Sequence, residues 1–176
     1  KSTLLRLMAG LLRPVSGELL WNGQNIKEDG EKFRGQLHYV GHQDAVKTAL
    51  TVEENLNFWA EMSGVKAREH TVRDALNTFS LGHLATLPAK FLSAGQRKRL
   101  NLARVCATSA PLWLLDEPSN SLDTESLIQL KRVITAHREK GGMIAVATHD
   151  ELISDSNTLN ISEFTNTKET TLEFQL

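Results

Sequence analysis

The sequence predicts an α/β fold built on an open, mostly parallel sheet, and three observations predict it. Strand-like runs alternate with helix-like ones along the chain. Two apolar runs, Leu112-Trp113-Leu114-Leu115 and Met143-Ile144-Ala145-Val146-Ala147, lack the alternation of a half-solvated strand and read as strands buried on both faces. Polar residues follow both runs, Asp116 directly and His149 two residues on. On such sheets ligands sit beyond the carboxyl ends of the strands, and these polar residues have gathered there.

The elements follow in order. Apolar residues at 4, 5, 7, 8, 11 and 12 fall on one broad helical face, so the chain opens as a mostly buried helix that Pro14 and Gly17 stop. Gly17 to Trp21 reads as a short strand, Asn22-Gly23 as a tight hairpin turn, and Gln24-Asn25-Ile26 as its return. Leu37 to Gly41 is the next strand. Thr51 caps a helix over Val52 to Met62, with Glu54 at the capping-box position and Leu56, Phe58, Trp59 and Met62 as packing candidates. Further helices are expected over Thr71 to Phe79, Gln96 to Ala107 and Ser126 to Lys140, the last ending at Gly141-Gly142. The Thr-rich tail from Thr158 to Leu176 is expected to form a small edge hairpin.

The 176 residues suit a single domain over 1–176. Twenty Lys and Arg against 21 Asp and Glu leave a net charge of −1, which excludes a protein that wraps nucleic acid through phosphate neutralisation alone. A hydrophobic share of 40% supports a real core, and no apolar run approaches a membrane span. The lone Cys106 excludes an internal disulfide framework and points to a reducing compartment, so a soluble intracellular domain is expected.

Three short segments carry chemistry. Lys1-Ser2-Thr3 at a helix start matches the end of a phosphate-binding loop, G-x-x-x-x-G-K-[ST], although a plain polar helix start would look the same. On the loop reading the glycines precede residue 1, and the chain is expected to be an N-terminally truncated piece. The strand ending in Asp116-Glu117 delivers two carboxylates. The first can hold Mg2+ against nucleotide phosphates and the second can polarise an attacking water. Leu92-Ser93-Ala94-Gly95-Gln96 combines a hydroxyl, a glycine and a helix N-terminus, the parts of an anion site and equally of an ordinary Ser cap. The cluster Arg97-Lys98-Arg99 with Arg104 reads as a solvated helix face near a bound phosphate in preference to a nucleic-acid patch.

Together with Ser121-Leu122-Asp123 and His149, these segments resemble, in order, five motifs of the ABC ATPases. Lys1-Ser2-Thr3 is similar to the end of Walker A, Leu92 to Gln96 to the signature and Leu112 to Glu117 to Walker B. Ser121 to Asp123 is similar to the D-loop, and His149 to the switch histidine. The resemblance implies a P-loop NTPase fold: an ABC-type nucleotide-binding domain with a mostly parallel core sheet, an antiparallel β element and a helical subdomain over about 51–107. The N-terminal strands and phosphate-loop glycines would be missing.

What the resemblance implies can be assigned residue by residue. Lys1 would contact the β- and γ-phosphates of ATP, Thr3 would support the α-phosphate side, and Ser2 would ligate Mg2+. Asp116 would hold the metal through its water shell. Glu117 would be the general base, with His149 at the γ-phosphate. Ser93 and Gly95 would face ATP on a second copy of the chain in a head-to-tail sandwich, and Gln96 and Asp123 join the nucleotide-binding set. The glutamine-loop position aligns with His42, while Gln43 is the residue taken here for nucleotide and metal contact; the choice between them stays open. Ala94 departs from the usual Gly pair, and Ser119-Asn120-Ser121 from the residues usual after Glu-Pro.

The stretch Gly41 to Thr48 followed by Leu50 to Trp59, with Ala110 to Pro118, is most similar to the haem-exporter ATPase subunit of cytochrome c maturation. That likeness implies a peripheral protein on the cytoplasmic face of the inner membrane, bacterial or mitochondrial, with integral membrane transporter subunits as partners and no nucleic acid. Its ATP hydrolysis would serve haem export or release of a haem-loaded chaperone. The alternatives are the ATPase of another exporter, lipid or multidrug, or a non-transport ABC ATPase. No C-x-x-C-H occurs, so the chain does not itself attach haem covalently.

Overall fold

The computed structural model describes residues 1–62, 69–149 and 152–164. A three-stranded parallel sheet lies at its centre, in the order β3 (Leu37–Val40), β4 (Leu112–Asp116), β5 (Met143–Ala147). Leu37 pairs with Leu112 and Leu112 with Met143, so the three strands run level and end together.

Strand alternation divides the core into two layers. Val40, Trp113, Leu115, Ile144 and Val146 face one side and pack with apolar residues of α3 (Val52–Met62), α4 (Glu69–Thr78), α5 (Ala94–Ala107) and α6 (Thr124–Glu139). Leu37, Tyr39, Leu112, Leu114, Ala145 and Ala147 face the other, against Leu5, Met8 and Ala9 of the first helical segment and Trp21. The central strand β4 is buried along its whole length, as its unbroken apolar run predicts. In β5 the run misleads: Ala147 is buried, but Met143 is 46% exposed. Among the described residues β5 pairs with β4 alone, so its outer side lacks the cover that β4 has on both flanks.

The first helix, α1 (Ser2–Met8), ends one turn before its apolar face does. Gly10 takes a left-handed φ of +68°; its N–H donates to Leu7 O at 2.9 Å, and that of Leu11 to Arg6 O at 2.9 Å. This paired closure stops the helix well short of Pro14, and Leu11 and Leu12 lie beyond it. Asn22 and Gly23 both have positive φ and close a hairpin of β1 (Leu20–Trp21) and β2 (Gln24–Asn25), shorter than the strand expected from Gly17. An unforeseen helix, α2 (Gly30–Arg34), starts at Asp29, whose carboxylate accepts from Lys32 N, and buries Phe33 against Trp21.

The capping box of α3 forms as expected: Thr51 N donates to Glu54 Oε2 at 2.8 Å and Glu54 N to Thr51 Oγ1 at 3.2 Å. Leu56 is buried and Phe58 and Trp59 half-buried, but Met62 is exposed. From Thr158 the described chain shows no strand; Ile161–Phe164 form one 3-10 turn. The rest of the expected edge hairpin falls outside the described residues. No described helix is long and apolar enough to cross a membrane.

Candidate functional site

The carboxyl ends of β4 and β5 and the start of α1 converge on one spot. Asp116, the last residue of β4, is 1% exposed, and its Oδ1 accepts from Ser2 Oγ at 3.0 Å. Lys1 Nζ donates to the carbonyl of Thr148 at 3.1 Å and stands 3.3 Å from each ring nitrogen of His149. His149 Nε2 lies 3.6 Å from Glu117 Oε1, and the His149 side chain is 79% exposed while that of Glu117 is 18% exposed. A cation, a hydroxyl, two carboxylates and an imidazole thus meet at the sheet edge, drawn from positions 1, 2, 116, 117 and 149.

Glu117 is held by its main chain. Its φ is +46°, the left-handed region that a residue with a Cβ rarely occupies. Its N–H donates to Ala147 O at 2.8 Å, and its carbonyl accepts from Lys98 Nζ at 2.9 Å. The turn lifts the Glu117 side chain off the strand while β5 and α5 grip the peptide on either side.

The solvated-face reading of the basic cluster fails for Lys98. It is 9% exposed, and Arg104 is 8% exposed. Burial pulls the Lys98 ammonium below its ordinary pKa, against the carboxylates of Asp116, Glu117 and Asp44. Arg104 donates to Tyr39 O and lies over the Trp59 ring at 4.5 Å, and burial lowers its pKa to about 10. For Lys98 the sequence signal was its register: Lys98, Asn101, Leu102 and Val105 recur at helical spacing, and all four are buried.

The remaining expected residues lie as follows. Ser93 caps α5 in a full capping box, its Oγ accepting from Gln96 N at 3.2 Å and Gln96 Oε1 accepting from Ser93 N at 2.9 Å. Gly95 faces the loop after Glu117, where a Cβ would make an ordinary contact of 3.4 Å with Ser121 O. Asp123 caps α6 through Ser126 N at 2.8 Å, and Ser126 holds the carboxyl below the usual range. Thr3 is exposed on the first turn of α1, and His42 and Gln43 are both exposed in the bend after β3. Burial raises the Cys106 thiol to about 12, which fits an inert packing residue.

Ser2 and Asp116 supply hard oxygen donors side by side. Among the described residues no three of His, Cys, Asp and Glu gather into a metal cage. The pair therefore suits a cation that takes most of its ligands from water and substrate oxygens.

Residues 1–120 match the ABC transporter family model. The chain is 51% identical over 152 residues to the cytochrome c biogenesis ATP-binding export protein CcmA of Rhodospirillum rubrum, covering 86% of this chain and 64% of that protein. The protein of the same name from Paramagnetospirillum magneticum is 47% identical over 167 residues, covering 93% of this chain and 77% of its own. The chain thus spans about two thirds of the first of these relatives. Among solved structures, a dimeric ATP-binding cassette in a post-hydrolysis state bound to ADP and Pi superimposes with a TM-score of 0.71. It is 26% identical, over 85% of this chain and 69% of that one.

Proposed function

Because this chain belongs to the ABC transporter family, we propose that it is the ATP-binding and ATP-hydrolysing subunit of an export system serving cytochrome c biogenesis. The observation that carries the reading is the meeting of Lys1, Ser2, Asp116, Glu117 and His149 at one sheet edge. Lys1 offers an exposed cation to phosphate oxygens. Ser2 and Asp116 fit Mg2+ by donor type, the hydroxyl as a direct ligand and the carboxylate through water. Mg2+ bound with the nucleotide supplies charge neutralisation across the phosphates.

The chain's own residues do the rest. Glu117 Oε1 takes the proton of the attacking water as general base. His149, beside both Glu117 and Lys1, contacts the γ-phosphate and helps to position that water. Ser93 and Gly95 complete the nucleotide site of a second copy, head to tail, with Gln96 and Asp123 holding their loops. The dimeric cassette among the solved likenesses supports that arrangement. Its ATP hydrolysis drives haem export or release of a haem-loaded chaperone, and the subunit docks on integral membrane partners at the cytoplasmic face of the inner membrane. The names of the relatives support the process, cytochrome c biogenesis.

Glu117→Gln in the intact subunit tests this reading. The variant is expected to bind ATP normally and to lose turnover by about 10²-fold or more. Undiminished hydrolysis would remove Glu117 from its role.

A further inference from the structure

We propose that Lys98 is a positioning residue that fastens the helix beginning at Ser93 to the main chain of Glu117, so that the seating of the signature segment and the aim of the Glu117 carboxylate move together. The inference rests on the ATPase reading above and adds a connection within one chain between two half-sites.

Three observations carry it. Lys98 Nζ donates to Glu117 O at 2.9 Å, from a side chain 9% exposed. A lysine is seldom sunk this far unless its ammonium is satisfied. Glu117 sits at φ +46° and needs outside restraint to stay there. Its N–H is tied to Ala147, and its carbonyl is tied to Lys98. Finally, Lys98 lies five residues after Ser93 on α5, whose capping box makes the start of that helix rigid. Gly95, between the two, faces the Ser121 carbonyl in the loop that follows Glu117. A ligand that presses on Ser93 therefore acts on a helix that is bonded, through Lys98, to the peptide of Glu117. The side chain of Lys98 touches no substrate in this scheme; it works through Glu117.

The test compares steady-state ATP hydrolysis by the intact subunit and its variants. Lys98→Met keeps the length and apolar stem but removes the donor. It is expected to lower kcat roughly tenfold or more, as a small misplacement of a reacting group does, with the KM for ATP within about twofold. Lys98→Arg, which restores a buried donor, is expected to recover most of the loss. Should Lys98→Met fail to fold, Lys98→Ala carries the same comparison, with thermal melting to confirm the native state. A kcat within about twofold of the unmodified protein for a folded donor-free variant overturns the proposal. So does an equal loss in Lys98→Arg and Lys98→Met. In those two outcomes the unmodified protein still hydrolyses ATP and the ATPase reading stands; an unmodified protein without hydrolysis overturns both.

Discussion

Ser2 Oγ donates to Asp116 Oδ1 across 3.0 Å, joining the first turn of α1 to the end of β4 over 114 positions of sequence. The bond leaves a hydroxyl and a carboxylate aimed at the same small volume. Asp116→Asn keeps the shape and removes the charge. The expected outcome is a 10- to 100-fold rise, as an order of magnitude, in the Mg2+ concentration that half-activates hydrolysis. A Mg2+ titration on the variant and its parent decides it, and identical curves would take Asp116 out of the metal's surroundings.

His38 predicts a pH dependence of stability. It lies half-buried beside Thr108, and its pKa falls from 6.5 to about 4, first through loss of hydration and then through the charge of Arg104 and, more weakly, of His137. Between those values the unfolded chain binds the proton and the folded one does not. Stability is therefore complete above pH 6.5 and drains away as pH falls toward 4. The loss attached to this ring is on the order of 3 kcal/mol. Urea unfolding at pH 7 and pH 4.5 should show a smaller acid loss in His38→Gln than in the parent. Equal losses would mean that other groups carry the acid sensitivity.

The imidazole of His137 stacks on Trp113, with centroids 3.7 Å apart and planes 8° from parallel. Gly142 closes over its other side, where a Cβ would fall 2.2 Å from His137 Nε2. The ring has an indole behind it and cannot yield. Gly142→Ala is expected to cost about 1–3 kcal/mol by overpacking, read as a lower urea midpoint with hydrolysis per folded molecule retained. An unchanged midpoint would show that the ring has somewhere to go.

Local chemistry was legible in the sequence where a few adjacent residues decide the outcome. Thr51 and Glu54 fix the start of α3 among themselves, and Asn22-Gly23 fixes its turn. Burial is a different matter, because it depends on what arrives from elsewhere in the chain. Lys98 and Arg104 read as solvated charges because composition counts charge and not surroundings; their partners, Glu117 O and Tyr39 O, are 19 and 65 positions away. Met143 shows the converse: its run reads as doubly buried, but an outer position in the described sheet leaves it open. The helix expected at the start outran α1 because six apolar positions outweighed Gly10, whose left-handed closure is what ends the helix. The motif residues at 1, 2, 116, 117 and 149 were legible as a set, although their mutual distances were not.

The left-handed peptide at Glu117 sets thermal endurance against activity. A glycine would rest there without the penalty of about 1–2 kcal/mol that a Cβ incurs, and on the role proposed for Glu117 it would leave behind a sturdier but silent protein. Selection for heat resistance alone would push this position toward glycine, so the proposed role and endurance pull it in opposite directions.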